Sequence, residues 1–169
     1  MCIRDRDYRA GERTFQLLTQ AVGRAGRGVL PGEAVIQTYQ PDHYAITCAA
    51  AQDYKSFYEE EILYRELSGY PPAAHMLAVQ IYGKEEENVK QLARRLTDVV
   101  KSNMDFLQIL GPTPANISKI NDIYRYVFYA KHAEYDTLVA VKDCVEETLR
   151  QWQPRQLSIQ FDFDPVNVL

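Results

Sequence analysis

Apolar residues first recur at helical spacing in residues 12–25, where Phe15, Leu18, Val22 and Ala25 share one side with Ala21 beside them. Gly26 and Gly28 follow as helix stops. After a turn at Pro31 and Gly32, "EAVIQTY" (33–39) reads as a short buried strand. The turn "QPDH" leads into a helical stretch over 43–51. Asp53 is placed to cap the next helix, "YKSFYEEEILYREL", which stops at Gly69 ahead of Pro71 and Pro72. In that helix Phe57, Tyr58, Ile62, Tyr64 and Leu67 predict a broad apolar side, and the Glu59–Glu61 run predicts its solvated face.

Beyond "GYPP" the pattern changes. "HMLAVQIY" (75–82) predicts a strand. Val89, Leu92, Ala93, Leu96, Val99 and Val100 mark an amphipathic helix over 85–102. "FLQIL" (106–110) predicts a short strand ended by Gly111-Pro112, and "IYRYVFYAK" (123–131) a strand rich in β-forming residues. Leu138, Val141, Val145, Leu149 and Trp152 mark a second amphipathic helix. Leu157, Ile159, Phe161 and Phe163 alternate as in a half-buried strand. The order is β-α-β-β-α-β, the ferredoxin-like arrangement, with two helices on one sheet face. A domain boundary is expected near "SGYPP", which makes 72–169 an α+β domain and 41–71 a helical connector. One helix and one strand cannot bury a core alone, so 7–40 is expected to be the end of a larger α/β domain.

Composition adds few constraints. Hydrophobic content of 46% and charged content of 25% are those of an ordinary globular chain. No apolar run is long enough to cross a bilayer, and nothing at the start resembles a signal peptide, so a cytoplasmic protein with no membrane partner is expected. Cys2, Cys48 and Cys144 are far apart and form no C-x-x-C pair, so no zinc site or disulfide framework is predicted. The net charge is −4, but it is uneven. Residues 1–40 hold six Lys/Arg against four Asp/Glu, residues 41–70 two against six, and residues 71–169 eleven against thirteen.

The basic excess surrounds "TFQLLTQAVGRAGRG" (14–28). Arginine is always charged and offers donors in a rigid fork, which suits a phosphate whose charge shifts during transfer. Glycines beside it let the backbone approach another surface closely. Gln20 lies four residues before Arg24, so both are able to face one ligand. The spacing Q-x-x-G-R-A-G-R-G therefore suits a γ-phosphate sensor built from Gln20, Gly23, Arg24 and Arg27. The plain alternative is a glycine-capped helix end with basic residues near its negative dipole end.

Q-x-x-G-R-x-G-R resembles the last motif of superfamily-two helicases, in their second RecA-like lobe. "DYRAGERTFQLLTQAVGRAGRG", "PGEAVIQTYQPDHYAI", "FYEEEILYRELSGYPP" and "DFDPVNVL" resemble the primosomal protein N′ family of replication-restart helicases over residues 7–169. That resemblance implies the end of a RecA-like lobe followed by a small α+β domain. It implies an ATP-dependent 3′-to-5′ DNA helicase that uses ATP with magnesium and acts at stalled or branched forks to assemble the primosome. It also implies that Arg24 and Arg27 act in catalysis, and that Gln20, Gly23, Arg24 and Arg27 contact the nucleotide. The implied partners are forked DNA, single-strand-binding protein and other primosome proteins.

The chain departs from the family in ways that matter. No G-x-x-x-x-G-K-[ST] loop is present, and the family's cysteine-rich zinc module has no counterpart here. The chain is therefore expected to be a C-terminal part, inactive alone and without zinc ligands, of a longer protein that holds zinc. "MCIRDR" (1–6) does not continue the family pattern and is expected to be an artefactual start. His43, His75 and His132 are scattered and are expected to be structural or exposed. Alternation in "IYRYVFYAK" puts Tyr124, Tyr126, Phe128 and Ala130 toward the helices, and Arg125, Tyr129 and Lys131 on the other face. In a ferredoxin-like sheet this strand is central and its open face is where RNA-recognition modules stack bases, so those three are candidate nucleic-acid or partner contacts. Ser158, Gln160, Asp162 and Asp164 are expected on the same face. The rival reading is a non-enzymatic nucleic-acid-binding module with a ferredoxin-like fold.

Overall fold

A computed structural model describes residues 7–25, 32–153 and 156–166. The expectations for residues 1–6, for Arg27 and for the turn at Pro31 lie outside the described residues. The chain divides into two compact units, with the division between Ser68 and Gly69.

The first unit holds three helices: α1 (Ala10–Val22), α2 (Tyr44–Ala51) and α3 (Tyr54–Ser68). Asp53 caps α3 as expected, since its carboxylate accepts from the Ser56 N–H at 3.0 Å and from the Ser56 hydroxyl at 2.7 Å. His43 caps α2 through Nδ1, which accepts from the Ala45 N–H. The three helices share an apolar cluster in which Phe15 stacks on Phe57 at 4.1 Å, beside Ala45 and Ala49.

The burial pattern of α3 corrects two expectations. Only Phe57 of the expected apolar side is buried, whereas Tyr58, Tyr64 and Leu67 are exposed. Glu61, expected in solvent with Glu59 and Glu60, is buried. It is held inside by Arg65, whose Nη2 donates to Glu61 Oε1 at 2.6 Å and to Glu12 Oε2 of α1 at 2.9 Å. The Tyr44 hydroxyl of α2 donates to Glu61 Oε2 at 2.6 Å. A paired and hydrogen-bonded charge is a tolerable core residue where an isolated one is not. Residues 33–39 form no strand: they run without a ladder, with Val35 86% exposed. Strands exist by pairing, and no described segment pairs with this one.

The second unit contains β1 (His75–Gly83), α4 (Glu86–Asn103), β2 (Gln108–Ile120), β3 (Ile123–His132), α5 (Tyr135–Trp152) and β4 (Leu157–Phe163). The four strands form one sheet in the order β2-β3-β1-β4, antiparallel throughout. This is the β-α-β-β-α-β arrangement predicted from periodicity. Leu77, Val79 and Ile81 of β1 and Tyr126, Phe128 and Ala130 of β3 meet Val89, Leu92, Leu96 and Val100 of α4 and Leu138, Val141 and Val145 of α5.

β2 is longer than expected. It continues through Gly111-Pro112 to Ile120, then turns at Asn121 and Asp122, both at positive φ as a two-residue hairpin requires. Gly111-Pro112 is a bulge and not a stop: the register passes from Leu110↔Tyr129 to Thr113↔Val127, leaving two residues opposite Phe128. Gly111 has φ +93, and a Cβ there would lie 3.0 Å from the Val127 carbonyl oxygen. Gly111→Ala is therefore expected to destabilise the chain by about 1–3 kcal/mol, read as a lower urea midpoint at unchanged slope. An unchanged midpoint would mean that the bulge relaxes freely.

Candidate functional site

Two places carry the candidate chemistry, one in each unit, and each is taken by itself. The first is the end of α1. Its last turn tightens: the Gly23 N–H donates to the Thr19 carbonyl at 2.9 Å, and the Arg24 N–H to that of Ala21 at 3.2 Å. Gly23 keeps a right-handed conformation (φ −65, ψ −9), so Arg24 follows Gln20 by one further turn. Both side chains are exposed. Arg24 has no carboxylate partner among the described residues, unlike Arg9, Arg13 and Arg65 of the same unit. A helix held at its base by Glu12 and Arg65 thus presents an exposed amide and, just past its end, an exposed guanidinium.

The second place is the sheet face turned away from α4 and α5. The expectation that β3 opens this face along Arg125, Tyr129 and Lys131 needs correction. Tyr129 is 6% and Lys131 4% exposed. The Lys131 Nζ lies 3.8 Å from the centre of the Tyr70 ring, and burial lowers its pKa. Alternation assigns a residue to a face, but it does not say what covers that face. Arg125 alone stays half-exposed, 5.5 Å from the centre of the Tyr82 ring and with no carboxylate partner among the described residues.

Tyr82 is the residue that the sequence reading missed. Its hydroxyl donates to Gln80 Oε1 and lies 3.2 Å from Gln160 Oε1. The signal was available in β1, where period-2 alternation sets Gln80 and Tyr82 opposite Val79 and Ile81. Asp164, expected among the acids of this face, instead turns onto the start of β1. It accepts from the Met76 N–H at 2.8 Å and pairs with His75 Nδ1 at 2.9 Å. His132 accepts from the Glu134 N–H. All three histidines therefore have local structural contacts. Among the described residues, no group of three or more His, Cys, Asp or Glu side chains is placed to hold a metal ion, and no helix is long and apolar enough to cross a membrane.

The family described as "Primosomal protein N C-terminal domain" matches residues 66–166, more than half of the chain. The chain belongs to this family. The primosomal protein N likeness extends upstream of the C-terminal domain. The replication restart protein PriA of Bacillus subtilis is 36% identical over 161 residues, 94% of this chain and 20% of the relative. The protein of the same name from Synechocystis is 32% identical over 163 residues, 96% of this chain and 19% of the relative. That from Chlamydia pneumoniae is 42% identical over 128 residues, 75% and 17% respectively. The chain thus spans about a fifth of the length of the relatives it matches. The C-terminal domain of the primosomal protein N family is here the small α+β unit built on the β2-β3-β1-β4 sheet.

Proposed function

We propose that the chain is the C-terminal part of an ATP-dependent, 3′-to-5′ DNA helicase that recognises stalled or branched replication forks and restarts replication by primosome assembly. In this reading residues 7–40 end a second RecA-like lobe, and the unpaired 33–39 segment takes its place as a strand in that lobe's sheet. Gln20, Gly23, Arg24 and Arg27 contact ATP, which is held with its magnesium ion by a first lobe that the longer protein supplies. Forked DNA, single-strand-binding protein and other primosome proteins are the partners, and zinc belongs to another part of the longer protein. The observation that carries the reading is the exposed pair Gln20, on the last turn of α1, and Arg24, just beyond its end, with Arg24 free of any carboxylate among the described residues. An exposed guanidinium at a glycine-rich helix end is suited to an anion that arrives from elsewhere.

The test compares hydrolysis by two proteins, with and without forked DNA. The longer protein that ends in residues 7–169 is expected to hydrolyse ATP when forked DNA is added. The 169-residue chain is expected to show no hydrolysis, because no loop of its sequence can cradle the phosphates. DNA-stimulated turnover by the short chain, or none by the long one on any DNA, would overturn the reading.

A further inference from the structure

On β1, Tyr82 pairs with Arg125 of β3 on one side and with Ser158 of β4 on the other. Gln80 and Gln160 face each other one step along the same sheet face. A tyrosine standing upright from a strand would hold its hydroxyl far above the sheet. Here the hydroxyl reaches Gln80, two residues back on its own strand, and Gln160 across from it. The ring must therefore lean along the strand, with one face toward the sheet and the other outward. Gln80 is only 5% exposed, as expected of a residue lying under such a ring. The Arg125 guanidinium lies over the ring, 5.5 Å from its centre, and Gln160 and Ser158 are exposed.

Three properties then coincide. The aromatic ring is fixed before any ligand arrives, so little side-chain freedom is lost on binding. The neighbouring cation has no carboxylate partner among the described residues. Gln160 is exposed and its oxygen faces the tyrosine hydroxyl, which leaves its N–H donors for a ligand's acceptors. A planar group with acceptor edges and an attached anion uses all three. An unpaired nucleobase with its phosphate is such a group, whereas a base inside a duplex hides its ring faces.

We propose that the Tyr82 ring is a stacking platform for an unpaired base of single-stranded DNA, with Arg125 on the adjoining phosphate and Gln80 and Gln160 fixing the ring. The choice of DNA rests on the function proposed above. The site takes one base and one phosphate, because Asp162 lies further along β4 on the same face and repels a strand continuing that way. Sequence-independent, weak binding with a shallow salt dependence follows.

The experiment measures fluorescence anisotropy of a fluorescein-labelled 15-mer of thymidylate against the 169-residue chain at several salt concentrations. Tyr82→Ala is expected to weaken binding roughly tenfold. Tyr82→Phe, which keeps the ring and loses only the hydroxyl, is expected to weaken it by less. Arg125→Ala is expected to lower the slope of log affinity against log salt by about 0.7, the loss of one phosphate contact on a single strand. Circular dichroism checks that each variant is folded; should Tyr82→Ala unfold, Tyr82→Phe and the Arg125→Ala slope carry the decision. Unchanged binding in folded Tyr82→Ala, an unchanged slope in Arg125→Ala, or tighter binding of a blunt duplex than of the single strand would overturn the proposal. None of these readouts involves ATP, so loss of this site would leave the hydrolysis test standing, and the reverse.

Discussion

Arg27→Ala in the longer protein is expected to slow ATP hydrolysis about a thousandfold or more while leaving DNA affinity nearly unchanged. Arg24→Ala is expected to act in the same direction. The argument starts from charge. During phosphoryl transfer, negative charge moves onto the transferring and leaving oxygens, and a fixed cation is worth most where that charge develops. Arg24 enters this role from an exposed position at the tip of α1, with no competing carboxylate among the described residues. The DNA affinity should hold because the effect is on the transition state and not on the ground-state complex with DNA. Arg24→Lys should restore little, since an ammonium keeps the charge but loses the planar fork. Single-turnover hydrolysis beside DNA binding by anisotropy makes the comparison. Near-normal turnover in both alanine variants would return these residues to the simpler role of a basic helix end near the negative pole of the dipole.

Much of the second unit was legible because its elements are amphipathic with clear periods. The stripe Val89, Leu92, Leu96 and Val100 needs no knowledge of its partner to be read as a helix face, and it is buried as read. The central place of β3 was expected from the ferredoxin-like order of elements, and the sheet has it there. What escaped the reading depends on partners distant in sequence. Glu61 looked solvated because a run of three glutamates is costly to bury, and its rescue comes from Arg65 on its own helix together with the Tyr44 hydroxyl, 17 residues earlier. Tyr82 became interesting only through Gln160, 78 residues on. The 33–39 segment shows the converse: its composition is that of a strand, but a strand needs a neighbour, and none is described. Gly111-Pro112 misled because the same dipeptide serves as a stop and as a bulge, and only the hydrogen-bonded register tells them apart. The arginine motif was legible as a motif because glycine and arginine at fixed offsets at a helix end have a direct chemical meaning.

Arg65→Met is expected to destabilise the helical unit by about 3–5 kcal/mol at pH 7. The reason lies in what remains behind. Arg65 bridges Glu61, on its own helix, to Glu12 of α1, and its side chain is only 9% exposed. Removing the guanidinium leaves the buried Glu61 carboxylate, among the described residues, with the Tyr44 hydroxyl, while Glu12 keeps the fork of Arg9 at 3.2 Å. The cost is that of a stranded charge and not the net worth of the pair, so replacing the whole cluster by apolar groups of similar shape would cost far less. Titration gives a second reading. Burial tends to raise the Glu12 carboxyl, but the hydrogen bonds from Arg9 and Arg65 outweigh it and hold the group below its ordinary value of 4.5. A carboxylate held low in the folded state contributes stability that is complete above that value and is lost as pH falls through the folded one. The wild-type unit should therefore weaken on acidification below about pH 4.5. Arg65→Met should weaken less over the same range, because Glu12 has then lost one of the two arginine partners that hold its carboxyl low, so the gap between the two proteins narrows. Hydrogen exchange of the α1 and α3 amides, together with urea unfolding at pH 7 and near pH 4, measures both quantities. A loss below about 1 kcal/mol would place Arg65 with ordinary exposed ion pairs. A gap that stays constant across the pH range would mean that the helices lose packing by the arginine stem and not its charge.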